Sequence, residues 1–326
     1  MYDPENKNTS IELWLTIPFL LLVFSLATPF NPSWPEEVKY KKNIIQISEA
    51  VHRMERGNMG RRAGLVLLSM YGFFLLSRVP NRFQVNGLLG WLVVTYLAWS
   101  LLSLTWSIDV LFTLRRLAIF FILWFAAIAT AARYRVRELA VLVLFICGIT
   151  AVAGFANEIR LHTFDPLSEA WRFSGLFHTV SMGWNCGLLA LSSLYLSTIS
   201  ADNKLKKFYY LILIFALVLL VLTKSRMALA STLIALCFFW FMVSSIRAVV
   251  GWVIVGLIGL SGCYLFLGEK IIEYGEAVTT LGRGETAKET VGSLTGRLPL
   301  WNECFRWALQ RPLLGYGFNT FISPTH

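Results

Sequence analysis

Long runs without a single charged residue constrain this sequence more than any other feature. Asp, Glu, Lys and Arg are absent from residues 13–35, 83–108, 208–223 and 248–268. Because a helix rises about 1.5 Å per residue, about 20 apolar residues span the hydrocarbon core of a bilayer. One such run could form a buried helix in a soluble protein, but no soluble core could bury so many. Only helices satisfy every backbone group within one segment, so the sequence predicts membrane-spanning helices.

The apolar runs divide the chain into about nine predicted spans. The predicted fold is an all-α, polytopic transmembrane helical bundle, followed by an external loop that contains an amphipathic helix. We divide the chain into an N-terminal span with a basic loop (1–62), the bundle (63–268) and the external loop (269–326). The predicted spans cover residues 11–30, 63–80, 85–105, 112–132, 138–157, 176–199, 208–223, 227–246 and 248–268.

The charged residues also favour a membrane protein. Only 15% of the 326 residues are charged, whereas a typical soluble domain has about a quarter. The net charge of +10 comes from cations at the ends of apolar runs, where they meet lipid headgroups or mark cytoplasmic loops. We therefore expect the membrane, and no nucleic acid, as the partner of these charges.

The cysteines and histidines do not have the spacing of a metal site. The five cysteines form no CxxC pair and fall mostly in apolar runs, so we expect small buried hydrophobic side chains rather than ligands or disulfides. We expect no metal and no cofactor. The sequence also contains no P-loop, which argues against ATP-driven transport.

Lys and Arg in short connections predict the orientation of the bundle. Three basic connections fall on one side if the spans alternate, and the positive-inside rule makes that side cytoplasmic. They are residues 133–137, residues 204–207 and Arg247. The outer side then holds residues 158–175, 224–226 and 269–326.

The first loop disagrees with this orientation. Residues 31–62 contain seven Lys and Arg residues and only four Glu residues, yet simple alternation places them outside. Pro18 lies in the first apolar run, which would form a re-entrant hairpin in the alternative arrangement. Both arrangements remain open from the sequence.

A cationic turn joins the two predicted spans on either side of residues 224–226. Lys224 and Arg226 are the charged residues between Leu211 and Trp240. They could simply extend to lipid headgroups and anchor the helix ends. The functional alternative is an anion site, for which Arg is well suited because its planar guanidinium binds phosphate oxygens in a bidentate manner.

The external loop contains a second candidate anion site. A helix is predicted to begin near Pro299 and to end before Arg311, which precedes Pro312. Arg297 lies just before the helix N-terminus, whose free N–H groups favour an anion. The apolar face of this helix contains Trp301, Phe305, Ala308 and Leu309, so the helix is suited to the membrane surface. After it, Gly315, Tyr316 and Gly317 predict a tight turn.

Four segments occur in an order that is typical of one membrane family. They are LTWSID (104–109) followed by Arg115 and Arg116, RFSGLFH (172–178), TKSRMA (223–228), and GRLPLW (296–301) continued by RPLLGYGF (311–318). Together they resemble the O-antigen ligase and O-antigen polymerase family, which includes exopolysaccharide-production membrane proteins.

The resemblance implies a metal-independent glycosyltransferase of polysaccharide biosynthesis in the bacterial inner membrane. Such an enzyme takes a glycan from an undecaprenyl-pyrophosphate carrier at the periplasmic face and passes it to a lipid or glycan acceptor. By motif match, Arg226 and Arg297 are expected to bind the pyrophosphate. Possible further substrate contacts are Arg172, His178, Lys224 and Trp301.

The family also uses an external-loop His as a general base. This His is expected to lie beyond His326, so the catalytic residue is not identified in this sequence. Residues 269–326 would then form only the start of the catalytic loop. The sequence is accordingly expected to be a truncated form that is inactive on its own.

A second class of function remains open from the residues. Many spans with outer cations also suit a secondary transporter or flippase for an anionic substrate, either lipid-linked or soluble. Transporters commonly have internal repeats and ionisable groups near the bilayer midplane. The sequence shows neither feature, so the glycosyltransferase is the preferred interpretation.

Overall fold

The described part of the chain folds into α-helices. The computed structural model describes residues 5–27, 59–78, 87–166, 168, 171–243 and 297–318, and this part of the chain contains no β-strand. The predicted all-α class is confirmed. The helices are α1 (Glu5–Ala27), α2 (Met59–Ser77), α3 (Gly87–Leu102) with a 3-10 turn (Ser103–Trp106), α4 (Val110–Arg133), α5 (Val136–Arg160), α6 (Thr179–Ile199), α7 (Asn203–Leu222), α8 (Arg226–Val243) and α9 (Arg297–Gln310).

Six of the described helices are long and apolar enough to cross a membrane. They are α2, α3 with its 3-10 turn, α4, α5, α7 and α8. The apolar part of α1 is shorter, at Glu12–Leu26, and α6 contains Asn185 and several hydroxyl side chains. The ninth predicted span, 248–268, lies outside the described residues. The described residues therefore contain six candidate membrane spans, and the predicted count of nine is not confirmed.

Helix α6 lies at the centre of one group of helices. It packs against α5, α7 and α8, and small residues bring α6 and α8 close together. A Cβ atom on Gly183 would lie 2.7 Å from the Cβ of Ala228, and one on Gly187 would lie 2.3 Å from the Oγ1 of Thr232. Small residues at helix interfaces in membranes permit this kind of close packing. The contact fixes the first turns of α8, which begin at Arg226.

Helices α1 and α4 form a second group around α2. Helix α2 packs against α1 and α4, and α1 also contacts α5. A Cβ atom on Gly72 of α2 would lie 2.8 Å from the ring of Phe125 in α4. The hydroxyls of Thr16 and Tyr134 are hydrogen-bonded at 2.7 Å. This bond joins α1 to the connection between α4 and α5.

The two ends of the bundle can be distinguished by their charged residues. We call one the Glu12 end, where Glu12 in α1 forms ion pairs with Arg133 at the end of α4 and with Arg78 after α2. The other is the Arg226 end, which contains the connection 161–178 and the turn 223–225. Alternation along α4 places residues 107–109 at the Arg226 end.

The first apolar run is a single helix, so the re-entrant hairpin does not describe it. Helix α1 continues from Glu5 to Ala27 with Pro18 inside it. Glu12 lies in the N-terminal half of α1. The helix therefore runs from the Glu12 end toward the Arg226 end, where its last turn lies. Simple alternation is therefore the arrangement that the described helices adopt.

The described cysteines are free. Cys147 and Cys186 are buried, as predicted, whereas Cys237 is exposed and Cys304 is partly exposed. Cys263 lies outside the described residues.

Candidate anion-binding site

The turn between α7 and α8 has a conformation that places its cations at the start of a helix. Thr223 is fully buried, and its Oγ1 accepts a hydrogen bond from the Ser225 N–H at 3.3 Å. Lys224 has a φ of +48°, which is uncommon for a residue with a side chain. Such conformations persist where the surroundings enforce them, and they are concentrated at functional sites. Helix α8 then begins at Arg226.

The connection between α5 and α6 packs directly on this turn. The Phe173 N–H donates to the carbonyl of Leu222 at 2.9 Å, and Phe173 itself is fully buried. The Arg172 Nε donates to the Thr223 carbonyl at 3.2 Å. Arg172 therefore lies next to the turn, although 51 residues separate Arg172 from Thr223 in the sequence.

Lys224 binds back to the same connection. Its Nζ donates to the carbonyl of Ser168 at 3.1 Å. This hydrogen bond fixes the Lys224 side chain against the connection between α5 and α6. Three of the predicted site residues therefore lie together at the Arg226 end: Arg172, Lys224 and Arg226.

Arg226 has the feature that most favours an anion site. Its Nε is buried and has no hydrogen-bond partner among the described residues. A buried guanidinium donor without a partner is costly unless a ligand, ion or water completes it. The residue also lies in the first turn of α8, where free backbone N–H groups favour negative charge. These two effects act in the same direction and favour a bound anion.

His178 serves as a helix cap in the structure. It is the N-cap of α6, and its Nδ1 accepts a hydrogen bond from the Val180 N–H at 3.4 Å. Its side chain is exposed. The cap explains why a His stands at this position, and its further role as a substrate contact stays a prediction.

Helix α9 and the turn that follows it have the predicted form. Helix α9 begins at Arg297 and ends at Gln310, just before Arg311. Trp301 on this helix is 55% exposed, and Phe305 and Leu309 are 65% and 63% exposed. The side chain of Arg297 and the whole of His326 lie outside the described residues. The pyrophosphate role of Arg297 therefore stays a prediction.

The turn at residues 315–318 docks on the connection between α3 and α4. The Ile108 N–H donates to the Tyr316 carbonyl at 3.2 Å, and the Phe318 N–H donates to the Oγ of Ser103 at 3.2 Å. Gly317 has a φ of +111°, and a Cβ atom there would lie 2.6 Å from the Oγ of Ser107. The segments LTWSID and RPLLGYGF, which are far apart in the sequence, are thus in contact.

A buried carboxylate near this site was missed in the sequence. Glu158, near the end of α5, is fully buried. Its Oε1 accepts hydrogen bonds from the N–H groups of Ser174 at 2.7 Å and Gly175 at 2.8 Å. The predicted fifth span ends at residue 157. The sequence therefore predicts Glu158 as the first residue of the connection 158–175. The polar pair Asn157-Glu158 at the end of an apolar helix was the signal that could have identified it.

These features define a polytopic helical membrane protein that gathers cations at one end of its bundle. Residues 211–325 match the family model described as O-antigen ligase. The matched range contains TKSRMA and GYGF, so the predicted resemblance to the O-antigen ligase and polymerase family is confirmed for this part of the chain. The match and the apolar helices together identify an integral membrane protein of polysaccharide biosynthesis.

The other comparisons add no relative. No curated protein and no solved structure matches the chain at a significant level. The segments LTWSID and RFSGLFH lie before the matched range, so their connection with the site rests on the contacts described above.

Proposed function

We propose that this protein is a membrane glycosyltransferase. It moves a glycan from an undecaprenyl-pyrophosphate carrier to a lipid or glycan acceptor, as an O-antigen ligase or polymerase does. The match to the O-antigen ligase family supports the reaction type. The basic residues of 133–137 belong to the Glu12 end, so the positive-inside rule favours a periplasmic Arg226 end in the inner membrane.

The single observation that carries the proposal is the buried Nε of Arg226 at the start of α8. In the proposed reaction, the bond between the anomeric carbon of the glycan and the pyrophosphate oxygen breaks. The acceptor hydroxyl oxygen forms the new bond to that carbon and gives its proton to the general base that the family resemblance implies. Negative charge grows on the departing pyrophosphate. Fixed cations that bind it stabilise the transition state more than the ground state.

The other candidate residues have supporting roles in this proposal. Arg172 and Lys224 surround the turn that carries Arg226 and add positive charge beside the leaving group. Arg297, at the N-terminus of α9, provides the second pyrophosphate contact by motif match, with Trp301 one turn further along the helix. Undecaprenyl pyrophosphate, the acceptor and the bilayer are the expected partners.

The test replaces Arg226 and follows glycan transfer. The full-length protein with Arg226→Ala is expressed in the producing strain, whose native gene has been deleted, and transfer from undecaprenyl pyrophosphate is measured in isolated membranes. Loss of one charge-stabilising contact is expected to lower the rate about 100-fold or more. The matched control is Arg137→Ala, because Arg137 is an exposed Arg at the Glu12 end.

The outcomes separate the two classes of function. Equal transfer by the Arg226→Ala and wild-type proteins, at equal amounts in the membrane, would remove the proposed role of Arg226. Ion-coupled uptake of an anionic substrate into proteoliposomes, without glycan transfer, would favour a transporter instead.

A further inference from the structure

Glu158 is the most buried acidic side chain in the described part of the chain, and it contacts the backbone of the connection between α5 and α6. Its side chain is fully buried near the end of α5. One oxygen, Oε1, accepts from two consecutive backbone N–H groups, at Ser174 and Gly175. An oxygen that accepts from two consecutive backbone N–H groups fixes that backbone segment in place, and its loss would leave both buried donors without a partner.

The segment that Glu158 holds is the one that carries Arg172. Gly175 has a φ of +59°, and a Cβ atom there would lie 2.9 Å from the Cα of Gly154. The neighbouring Asn157 supports the same turn, because its Nδ2 donates to the Gly175 carbonyl at 3.3 Å. The connection is therefore fixed against the outer end of α5 by side-chain bonds and by close backbone contact.

The contacts continue from this segment to the cationic turn. Phe173 lies directly before Ser174 and binds the Leu222 carbonyl, while Arg172 binds the Thr223 carbonyl. Lys224 and Arg226 follow within three residues. A displacement of Ser174 and Gly175 would thus move both the Arg172 side chain and the support of the turn that carries the other two cations.

We infer that Glu158 is a positioning residue for the anion site, acting through the Ser174 and Gly175 N–H groups on Arg172 and on the turn 223–226. The inference rests on the proposed function, since it assigns the site a pyrophosphate. The required property is an acceptor oxygen at the Oε1 position. Length and acceptor, rather than charge alone, determine which replacements are tolerated.

Three replacements of Glu158 test this inference. Glu158→Gln keeps an oxygen at the same position, Glu158→Asp withdraws it by one methylene, and Glu158→Met keeps the length without the acceptor. Binding of undecaprenyl pyrophosphate to the purified full-length protein in detergent is the readout. We expect Kd close to wild type for Gln, a rise of a few-fold for Asp and a rise of about tenfold for Met. Glu12→Gln, the same change at the Glu12 end, is expected to leave Kd unchanged.

A second readout reports the contact directly. Lys224 donates to the Ser168 carbonyl, so loosening of the connection should increase its modification by an amine-reactive reagent. Mass spectrometry compares Lys224 with the exposed Lys204 of the same molecule. The ratio is expected to rise in the Asp and Met variants and to stay at the wild-type value in the Gln variant.

The two proposals fail in different ways. Wild-type Kd and labelling in both the Asp and Met variants would overturn the role of Glu158, even if Arg226→Ala abolishes binding. If the Met variant does not fold, the Asp variant decides alone. Unchanged binding and transfer in Arg226→Ala would instead overturn the proposed role of Arg226, and absence of glycan transfer by the wild-type protein would overturn the proposed function.

Discussion

The two ends of the bundle use their charged residues differently. At the Glu12 end, arginines pair with a carboxylate: Glu12 binds both Arg133 and Arg78. At the Arg226 end, Arg172 and Lys224 donate to backbone carbonyls, and the Nε of Arg226 is buried without a partner in the described part of the chain. A buried guanidinium nitrogen that lacks a partner among the described residues favours a bound anion. We therefore propose that the Glu12 end serves stability and that the Arg226 end binds an anion.

The largest expected effect distinguishes the ends by activity. Arg226→Ala should lower glycan transfer about 100-fold or more, because the cation at the leaving group is lost. Arg133→Ala should keep transfer and lower thermal stability instead, since Glu12 would lose its main partner. Transfer rates and melting temperatures of both variants in purified form provide the check. Equal loss of transfer in the two variants would remove the distinction.

The docked turn at the Arg226 end provides the next largest effect. Gly317→Ala combines a positive φ with a Cβ position 2.6 Å from the Oγ of Ser107, and we expect a local cost of about 1–3 kcal/mol. Gly315→Ala is the matched control, because its φ of +65° is also positive but nothing lies within 4 Å of the new Cβ. Limited proteolysis of residues 297–318 should be faster in the Gly317 variant. The reverse order would contradict the docking.

Breaking the ion pairs at the Glu12 end should have a moderate effect on stability. The side chains of Glu12 and Arg133 are 21% and 19% exposed, so solvent screens their interaction in part. Glu12→Gln is expected to lower the free energy of unfolding by about 1 kcal/mol and to leave transfer unchanged. Denaturation in detergent measures the first and membrane assays the second. A large loss of transfer would show that this end also contributes to the site.

The smallest expected effect concerns the hydroxyl pair between α1 and the connection of α4 to α5. Tyr134→Phe removes the 2.7 Å hydrogen bond to Thr16 and keeps the ring in place. The expected loss of stability is about 0.5–1.5 kcal/mol, without an effect on transfer. Thr16→Val should cost a similar amount, and the double variant should cost less than the sum if the two hydroxyls act as a pair.

Much of the fold could be predicted because membrane-spanning helices have a distinctly apolar composition. The apolar runs located α2 to α5, α7 and α8 to within a few residues, and Pro299 with Arg311-Pro312 delimited α9. Helix α6 is harder to recognise as a span, because Asn185 and the hydroxyl residues lower its hydropathy. These polar side chains are accommodated because α6 is buried among other helices. A polar residue that faces other helices cannot be distinguished from one that faces lipid by composition.

The site was predictable only in part. Arg226 and Lys224 stood out because they interrupt a long apolar stretch, and Arg172 stood out through its motif. Their proximity could not be predicted, since it depends on the bonds from Phe173 and Arg172 to the end of α7. Glu158 was overlooked because its role is to hold backbone N–H groups that become neighbours only in the folded chain. The docking of Gly317 on Ser107 is tertiary in the same sense.

The most direct test of the central claim compares two lipids that differ in charge. Undecaprenyl pyrophosphate and uncharged undecaprenol are titrated against the purified full-length wild-type, Arg226→Ala and Arg133→Ala proteins. We expect a strong preference for the pyrophosphate in the wild-type and Arg133→Ala proteins, and loss of most of that preference in Arg226→Ala. An undiminished preference in Arg226→Ala would contradict the assignment of the Arg226 end as the anion site.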